Sequence, residues 1–570
     1  MKRLYMVAAA ACGIALLCAQ TPSVPASDPV LQAMRDEVER SRQLQVSGLE
    51  KPYFVQYVID DADTFSVSAS LGGVLSRRRE KARVPQVQVR VGDYAFDNSN
   101  FGQTQGSRYA LGAVPVENSY PVLRRYLWLQ TDQAYKSAVD SISRKRAALR
   151  NITQNEQLND FAHAEPVRLA GSFAGLKIDE DSWETRVRSL SAVFKAFPEI
   201  ANSIVDFEAS NGGYYVANSE GTAVKAAEDI ASVRARAVAQ APDGMNVRDS
   251  VVFYAAETGG LPPEAEMNRG VTEVARNVSA LAKAPRGEDY NGPVLFEGVA
   301  GPQILAELLG RNLVASRRPL GGGGRGAAAS EFDGRIGARV LPESFDVVDD
   351  PVLKEWSGRP LFGSYEVDRE GVVPKPLRTV EKGVLKTFLM TRQPVRGFEG
   401  SNGRARFPAS PGGSGAAISN LFVSSSETVP ATELKAKLLE LIKMRDKPYG
   451  LLIRKLDFPA SSGPAQSGLT GQAGARQVSA PVLAYRVYPD GREELVRGLR
   501  FRGMNARSLR DILAAGDDAR AFNFLNGIGG NYTAASCVVA PSLLIDDLDV
   551  AATEEELPKL PIVPAPEFTP

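Results

Sequence analysis

Histidine is nearly absent from this sequence, which has a single one, His163, among 570 residues. A catalytic zinc site takes about three protein ligands, usually imidazole, thiolate or carboxylate, and keeps an open position for water. One imidazole cannot supply a histidine-based set. A centre of carboxylates alone remains an alternative, but no acidic pair has a spacing that singles it out, and such ligands suit Mg²⁺ or Ca²⁺ better than zinc. We therefore predict no metal and no other cofactor.

Cysteine is scarce as well: there are three, and Cys12 and Cys18 lie in the apolar N-terminal segment. If that segment is removed, Cys537 has no partner within the chain, which excludes an internal disulfide. The stability of the folded protein must then come from a hydrophobic core.

The N-terminal apolar run is too short to cross a membrane. Val7–Leu17 has eleven residues, whereas a membrane-spanning helix needs about 20. The run follows Lys2 and Arg3 and precedes a small-residue cleavage site at Ala19, a pattern typical of a secretory signal. We predict a signal peptide at residues 1–19, no membrane span, and export to the periplasm or the extracellular space.

Two alternatives for the mature N-terminus remain open. Cys18 would be the acylated residue of a lipoprotein, but the bulky Leu17 stands directly before it, where a small residue is expected. Val24-Pro25-Ala26 offers a second, later cleavage site. A soluble exported protein beginning at Gln20 is the form that we predict.

Neither sign of charge prevails, since 67 Lys and Arg stand against 67 Asp and Glu. No basic stripe with interleaved aromatic residues offsets this balance. The composition therefore argues against a nucleic-acid partner, and export makes contact with DNA less plausible still.

The length of the mature chain exceeds the size at which one hydrophobic core stops growing, so two or more domains are expected. Helices alternate with strands before Asn291, and strands with tight turns dominate after it. We predict an α+β fold, with a mixed helix and strand domain at residues 28–290 and a mainly antiparallel β domain at 291–550. An acidic, then proline-rich tail at 551–570 is expected outside the packed core.

Apolar periodicity and turn signals place the individual elements. Predicted helices are one starting at Ser27-Asp28-Pro29, one at 121–149, one capped by Ser182, one carrying Val271, Val274, Val278 and Leu281, and those at 302–313 and 431–444. Predicted strands are Tyr53–Ile59 and Val84–Val91, a pair at Tyr214–Ala217 and Val251–Ala255, and hairpins turning at Glu381-Lys382-Gly383 and Pro489-Asp490-Gly491.

Several short blocks, in order along about residues 165–550, resemble the TldD/PmbA family, also called modulators of DNA gyrase. The blocks are Asp179 with Trp183, Ser191–Phe194, Asn218-Ser219-Glu220-Gly221-Thr222, Asp349-Asp350-Pro351, Gly363-Ser364 with Asp368 and Glu370-Gly371, Val380–Leu385 and Pro541-Ser542-Leu543. Ordered and spaced matches are far less expected by chance than any single one. The chain is thus identified as a member of this family by resemblance.

The catalytic branch of the family carries His-Glu-x-x-x-His within a string of the type Leu-Leu-His-Glu-Ala-Val-Gly-His. Laid on Val294–Gly301, this string places Phe296 and Gly301 at the two histidine positions and retains only Glu297. Pro302 also disfavours one continuous helix across this stretch, because proline costs about 3 kcal/mol in a helix interior. We predict a degenerate site at Phe296, Glu297 and Gly301, with no catalytic and no metal-binding residue.

The strand Pro293–Phe296, followed by a leucine-rich helix, resembles the non-catalytic PmbA/TldE-like branch. The resemblance implies an exported, metal-free subunit of a peptide-degrading assembly, with a catalytic TldD-like homologue that carries the zinc motif as partner. A homodimer is also compatible, and peptides are the expected ligands. The alternatives are an active metallopeptidase with a rearranged metal site and a stand-alone peptide-binding protein.

Other candidate residues have simpler explanations. His163 lies in a polar stretch and is expected to be exposed, and Glu297 to be a solvated or helix-capping carboxylate. Gly321–Gly326 matches a dinucleotide-binding pattern but follows no strand, and Ser414 has no nearby histidine to activate it. Cys537 stands too close to Pro541 to match the cysteine ligand of the catalytic branch. Ser461–Arg476 is expected to be a linker or a loop.

Overall fold

The structure is a computed structural model that describes residues 28–46, 48–101, 114–150, 158–173, 175–315, 317, 319–320, 330–410, 413–458, 478–527 and 533–553. The predicted signal peptide, the glycine-rich stretch at 321–326, the linker at 461–476 and residues 554–570 of the tail lie outside these ranges. Within them, helices mix with mostly antiparallel sheets, which confirms the predicted α+β fold.

The first part of the chain builds one sheet and its covering helices. Its elements are α1 (Pro29–Arg42), β1 (Pro52–Ser70), β2 (Gly73–Val91), α2 (Tyr120–Leu149), β3 (Arg168–Ala170), α3 (Glu180–Ala192), β4 (Ile200–Asn218), β5 (Ala223–Ala227), β6 (Ile230–Gln240), β7 (Asn246–Ala255) and α4 (Glu264–Lys283). The predicted start of α1 is confirmed, because the Asp28 carboxylate accepts the N–H groups of Val30 and Leu31.

Alternating side chains give the sheet two buried faces. Phe65 and Phe207 point to one face, where they pack against Trp183 of α3 and Val271 of α4. The indole of Trp183 stacks on Phe207 with ring centroids 3.9 Å apart. The opposite face packs Val58, Tyr214 and Val216 against Val367 of the second part of the chain. The sheet is thus covered by helices on one side and by the C-terminal half on the other.

The first hairpin is much longer than predicted. The strands Tyr53–Ile59 and Val84–Val91 are only the apolar ends of β1 and β2, which pair over almost their full lengths. Their polar middle had no strand signal, but it is held by cross-strand ion pairs between Asp61 and Arg83 at 2.6 Å and between Asp63 and Arg79 at 3.0 Å. Opposite charges across neighbouring strands stabilise a pairing that hydrophobic alternation does not reveal.

Two further predictions were wrong in detail. Tyr214–Ala217 and Val251–Ala255 lie in β4 and β7 but do not pair, because β6 lies between them. The cap of α3 is Asp179, whose carboxylate accepts the N–H of Ser182 at 3.1 Å. Both residue types are good caps, and the helix begins three residues earlier than the serine indicated.

The second part folds around two sheets. Its elements are β8 (Tyr290–Phe296), α5 (Ala300–Leu305), β9 (Phe345–Asp349), β10 (Glu355–Trp356), β11 (Arg359–Pro360), β12 (Leu377–Glu381), β13 (Val384–Leu385), β14 (Ala405–Ser410), β15 (Gly413–Ala416), β16 (Asn420–Ser425), β17 (Thr428–Val429), α6 (Ala431–Met444), β18 (Gly450–Leu456), β19 (Pro481–Val487), β20 (Glu493–Val496), β21 (Leu499–Phe501), β22 (Ile512–Gly516), β23 (Arg520–Gly527), β24 (Thr533–Ala540) and β25 (Leu543–Ala552). One sheet has the order β17-β22-β25-β8-β18-β19-β20, and the other β13-β12-β9-β16-β24-β23.

Both predicted hairpins are confirmed, as β12–β13 and β19–β20, although Leu499–Phe501 leaves the second to pair with β25. The helix predicted at 302–313 begins earlier and changes type: α5 is followed by a π-helical turn at Ala306–Gly310. Residues 551–552, assigned to the tail, are the last of β25. None of the described helices is long and apolar enough to cross a membrane.

Arg404 and Asp349 form a fully buried ion pair in the second part, with Nε and Oδ2 2.6 Å apart. We predict that Arg404→Met lowers the free energy of unfolding by about 3–5 kcal/mol, because it leaves a buried carboxylate without its counter-charge. The exposed pair of Arg339 and Glu343 supplies the control, since Arg339→Met should cost about 1 kcal/mol or less. Urea denaturation measures both, and equal losses would contradict the prediction.

Candidate functional site

The predicted degenerate site does not lie on one helix. Phe296 is the last residue of β8 and is fully buried, with its ring centroid 5.9 Å from that of Phe501. Gly301 lies in the first turn of α5. Side chains at these two positions leave the backbone from a strand and from a helix, so they do not share a helical face.

Gly301 has a steric reason to be glycine. A Cβ atom at this position would lie 2.2 Å from the carbonyl oxygen of Pro541, a distance that no side chain tolerates unless the backbone moves. The neighbouring Ser542 hydroxyl accepts the N–H of Gly298 at 2.9 Å. The Pro541-Ser542-Leu543 block therefore packs directly on the start of α5, and a histidine at 301 would disrupt that contact.

Glu297 is a half-exposed, ion-paired carboxylate. Its Oε2 lies 2.6 Å from Nε of Arg454, and Arg454 also binds Glu493 at 2.9 Å. The Glu297 backbone N–H is bound by the carbonyl of Ile453. Since the arginine occupies the carboxylate, Glu297 is not poised as a general base.

The zinc-motif string can also be aligned with this chain ten residues further along, and we call each of the two alignments a frame. On Ile304–Arg311 it matches Leu305, Glu307 and Gly310, and it places Ala306 and Arg311 at the two histidine positions. In this second alignment the motif lies on a helical segment, and the π-turn contributes hydrogen bonds between residues five apart. In a regular α-helix, residues five apart lie about 140° apart around the axis, so a π-turn suits a His-Glu-x-x-x-His motif better. We assign the degenerate motif to Ala306, Glu307 and Arg311.

The sequence alone does not distinguish the two frames, because each matches the string at three positions. In the first frame the matching residues are Leu295, Glu297 and Val299. The missed signal was the mainly apolar character of residues 300–310, which are all buried between the two sheets and include only Gln303 and Glu307 as polar side chains. A helix that is buried on every side is a core element. It is the element on which side chains can be held rigidly.

Glu307 is enclosed by partners. Its Oε2 accepts the backbone N–H of Ser479 at 2.9 Å, and its Oε1 lies 3.2 Å from the Ser479 hydroxyl and 3.3 Å from Nη1 of Arg311. Burial raises the pKa of the Glu307 carboxyl above its ordinary value, and Arg311 and Ser479 oppose that shift. One turn earlier, the Gln303 side-chain amide binds both Leu456 and Phe458 of the chain leaving β18.

These residues do not fit the zinc ion that the catalytic branch of the family would hold. Ala306 offers a methyl group, and Arg311 a permanent cation without a lone pair. The described residues contain no group of three or more His, Cys, Asp and Glu side chains suited to a metal. Cys537 packs with Leu361 and Val539, and burial raises the pKa of its thiol to about 12. No catalytic step through a metal can be derived from this set.

His163 is exposed, as expected, but it has neighbours. Its ring stacks on Tyr94 with centroids 5.1 Å apart, and its Nδ1 lies 3.5 Å from Oε1 of Glu220. Glu220 belongs to the Asn-Ser-Glu-Gly block and is also bound by Arg392 at 2.6 Å. This cluster joins the two halves of the chain and lies apart from α5. Ser414, which the sequence analysis set aside as a nucleophile, belongs to β15.

A groove runs between the two halves next to α5. Two cavities of about 690 and 630 Å³ share Asp249, Val251, Val299 and Lys455 in their walls. One wall is β7, which pairs only with β6 among the described strands, and the other includes β23, the last strand of its sheet as described. Two sheet edges thus border the groove.

Both cavities combine apolar and charged side chains. One is lined by Phe253, Phe458, Val482 and Phe522 together with Glu266, Arg359 and Asp457. The other is lined by Glu273, Glu297, Asp518, Arg454 and Arg520 together with Val274 and Leu483. Lys455 of β18 reaches across and binds the Ser250 carbonyl of β7 at 2.5 Å, so the backbone of β7 is accessible to donors from the groove. This geometry suits a ligand with an extended backbone.

We predict that Ala306→His with Arg311→His creates saturable zinc binding that EDTA reverses, because these positions then present two imidazoles beside Glu307. The matched control is Phe296→His with Gly301→His. It should gain no zinc and should lose about 1–3 kcal/mol of stability or more, since a side chain at 301 meets the Pro541 backbone. Elemental analysis and zinc titration decide between the two frames, and zinc binding by the control pair alone would refute our assignment.

Comparison with known proteins finds a family match in the second part of the chain. The PmbA/TldA metallopeptidase C-terminal domain matches residues 290–552. A metalloprotease of Archaeoglobus fulgidus is 38% identical over 78 residues, or 14% of this chain and 17% of that protein. One of Methanothermobacter thermautotrophicus is 28% identical over 200 residues, or 34% of this chain and 38% of that protein. The chain therefore matches these curated relatives over less than two fifths of their lengths.

Solved structures share the fold over most of the chain. TldE from Thermococcus kodakarensis superposes with a TM-score of 0.55 and 12% identity, covering 91% of this chain and 100% of that one. A protein described as a modulator of a DNA gyrase from Thermotoga maritima gives a TM-score of 0.54 and 17% identity over 87% of this chain and 96% of that one. The solved structures show the shared fold. The matching C-terminal domain and the metalloprotease relatives support the resemblance of the chain to the TldD/PmbA family.

Proposed function

We propose that this chain is the metal-free, non-catalytic subunit of an exported peptide-degrading assembly. The proposal rests on the residues that occupy the positions of the zinc motif in this chain. Ala306 and Arg311 stand at the two histidine positions, and Glu307 is already bound by Ser479 and Arg311. Hydrolysis by the family's chemistry needs a metal-bound water and a free base, and this frame supplies neither.

The groove supports a role in holding peptides. An extended peptide can add a strand to an exposed sheet edge through main-chain hydrogen bonds, while pockets between side chains set its preferences. The edge of β7 faces such a space, and Phe458 and Phe522 offer apolar pockets beside it. Recognition through the backbone suits unfolded substrates of many sequences. It requires no catalytic group in this chain.

The family resemblance supports a partner with an intact zinc motif. In the non-catalytic branch the fold is retained without the metal site, and its use is to complete an assembly with a catalytic homologue. A chamber of this kind needs a stable contact, and stable interfaces bury well over 1,000 Å². We therefore favour a hetero-oligomer over a stand-alone binding protein.

Export is part of the proposal, and it rests on the sequence of residues 1–19. A basic start, an apolar run and the cleavage site at Ala19 support it. Intact mass of protein from the native host tests it. A mature chain beginning at Gln20 in an extracytoplasmic fraction is expected, and full-length protein in the cytosol would contradict it.

We predict that Phe522→Ser weakens the binding of an unfolded, fluorescein-labelled peptide mixture about tenfold, a loss of about 1.4 kcal/mol. The reason is the removal of an apolar wall of the groove. Tyr126→Ser, which changes an exposed aromatic residue on α2, is the matched control and should bind like the unchanged protein. Fluorescence anisotropy measures both, and equal affinities for all three proteins would place the peptide elsewhere.

We predict that co-expression with a homologue bearing an intact His-Glu-x-x-x-His motif yields one stable complex, and that full peptidase activity requires both chains. Activity should survive Glu297→Ala in this chain and be abolished by the same change at the motif glutamate of the homologue. Native mass spectrometry and a peptide-cleavage assay provide the readouts. Two species that migrate independently, with the homologue fully active alone, would show the assembly proposal to be wrong.

A further inference from the structure

We propose that Arg311 is a built-in replacement for the metal ion: its guanidinium is the fixed positive charge that holds Glu307, and through it the site helix, in place. The inference rests on the frame at Ala306, Glu307 and Arg311 and not on the existence of a partner. It concerns this chain alone and is tested with this chain alone.

The geometry brings a cation to the second histidine position. Arg311 follows the π-turn, and its Nη1 lies 3.3 Å from Oε1 of Glu307. Its guanidinium carbon lies 5.4 Å from the centroid of the Phe458 ring, within range of a cation–π contact. The arginine is therefore fixed between a carboxylate and an aromatic face, both of which favour a positive charge.

Glu307 needs such a charge. Its side chain is only 4% exposed, and an isolated buried carboxylate is strongly disfavoured unless it is neutralised or paired. The Ser479 N–H and hydroxyl provide neutral donors, and the nearby Asp457 carboxylate acts in the opposite sense by raising the pKa of Glu307. Arg311 is the ion-pair partner of Glu307, and arginine stays protonated in proteins.

The consequence reaches the groove. Glu307 connects the π-turn to Ser479, just before β19, and Gln303 connects α5 to Leu456 and Phe458, just after β18. Both ends of the chain segment between these strands are thus bound by the same helical stretch. In a metal-containing relative, two imidazoles and an ion would occupy this place. Here a single arginine pairs with the carboxylate and keeps the wall of the groove in position.

A double-mutant cycle tests charge compensation against simple packing. The proteins are the unchanged chain, Arg311→Met, Glu307→Gln and the double variant, and the readout is the folding equilibrium constant from urea denaturation. We expect Arg311→Met to lower the folding equilibrium constant at least tenfold. The double variant should recover most of that loss, because it contains neither the buried carboxylate nor its partner and so leaves no buried charge unpaired. Arg311→Lys should also recover part of it, since it restores the charge without the guanidinium shape.

Losses that simply add in the double variant would overturn the proposal, as they would show that Arg311 acts only through its packing. Equal stability of Arg311→Met and the unchanged protein would overturn it as well. If Arg311→Met does not fold, the double variant still decides: a folded double variant supports charge compensation, and an unfolded one contradicts it. None of these outcomes depends on a partner, so failure of the assembly proposal would be seen separately in co-expression.

Discussion

The close contact between Gly301 and the Pro541 carbonyl requires a glycine in the first turn of the site helix. β8 lies between β18 and β25 in the middle of its sheet, and β25 begins two residues after Pro541. Because a Cβ at position 301 would lie 2.2 Å from that carbonyl, the chain can turn into α5 only with glycine there. The π-turn that carries Glu307 follows directly after α5.

Buried carboxylates are paired with arginine at other places in the molecule as well. Arg404 neutralises the buried Asp349, and Arg392 binds Glu220 where the two halves meet. Arginine suits these places because its planar group donates several hydrogen bonds in fixed directions and remains charged when buried. Arg311 beside Glu307 applies the same chemistry to the helix where a catalytic relative carries its histidines.

The sequence predicted the fold well where hydrophobic periodicity was strong. The helices at 120–149 and 431–444 and the hairpin turns at Gly383 and Gly491 were predicted within a few residues, and the helices at 29–42 and 264–283 were predicted from a start signal and from an apolar face. The sequence did not predict the strands whose pairing depends on long-range contacts. These are the ion-paired middle of β1 and β2 and the strand β6, which lies between β4 and β7. Both depend on partners that are distant in sequence.

The structure favours an alignment of the degenerate motif ten residues further along the chain than the one that the sequence analysis used. The sequence showed that histidines were missing, whereas the frame at 296–301 and the frame at 306–311 matched the family string equally well. A short apolar run such as Pro293–Phe296 does not reveal by itself whether it is strand or helix. Only the three-dimensional contacts of Gly301 and the burial of the π-turn separate the two frames.

Zinc titration of the unchanged mature chain by calorimetry, followed by a peptide-cleavage assay of the same sample, is the most direct test of a metal-free role. We expect no saturable zinc binding, no cleavage, and no change in either on treatment with EDTA. One tightly bound zinc per chain, with cleavage that EDTA inhibits and Glu307→Gln abolishes, would contradict it and establish this protein as an active metallopeptidase.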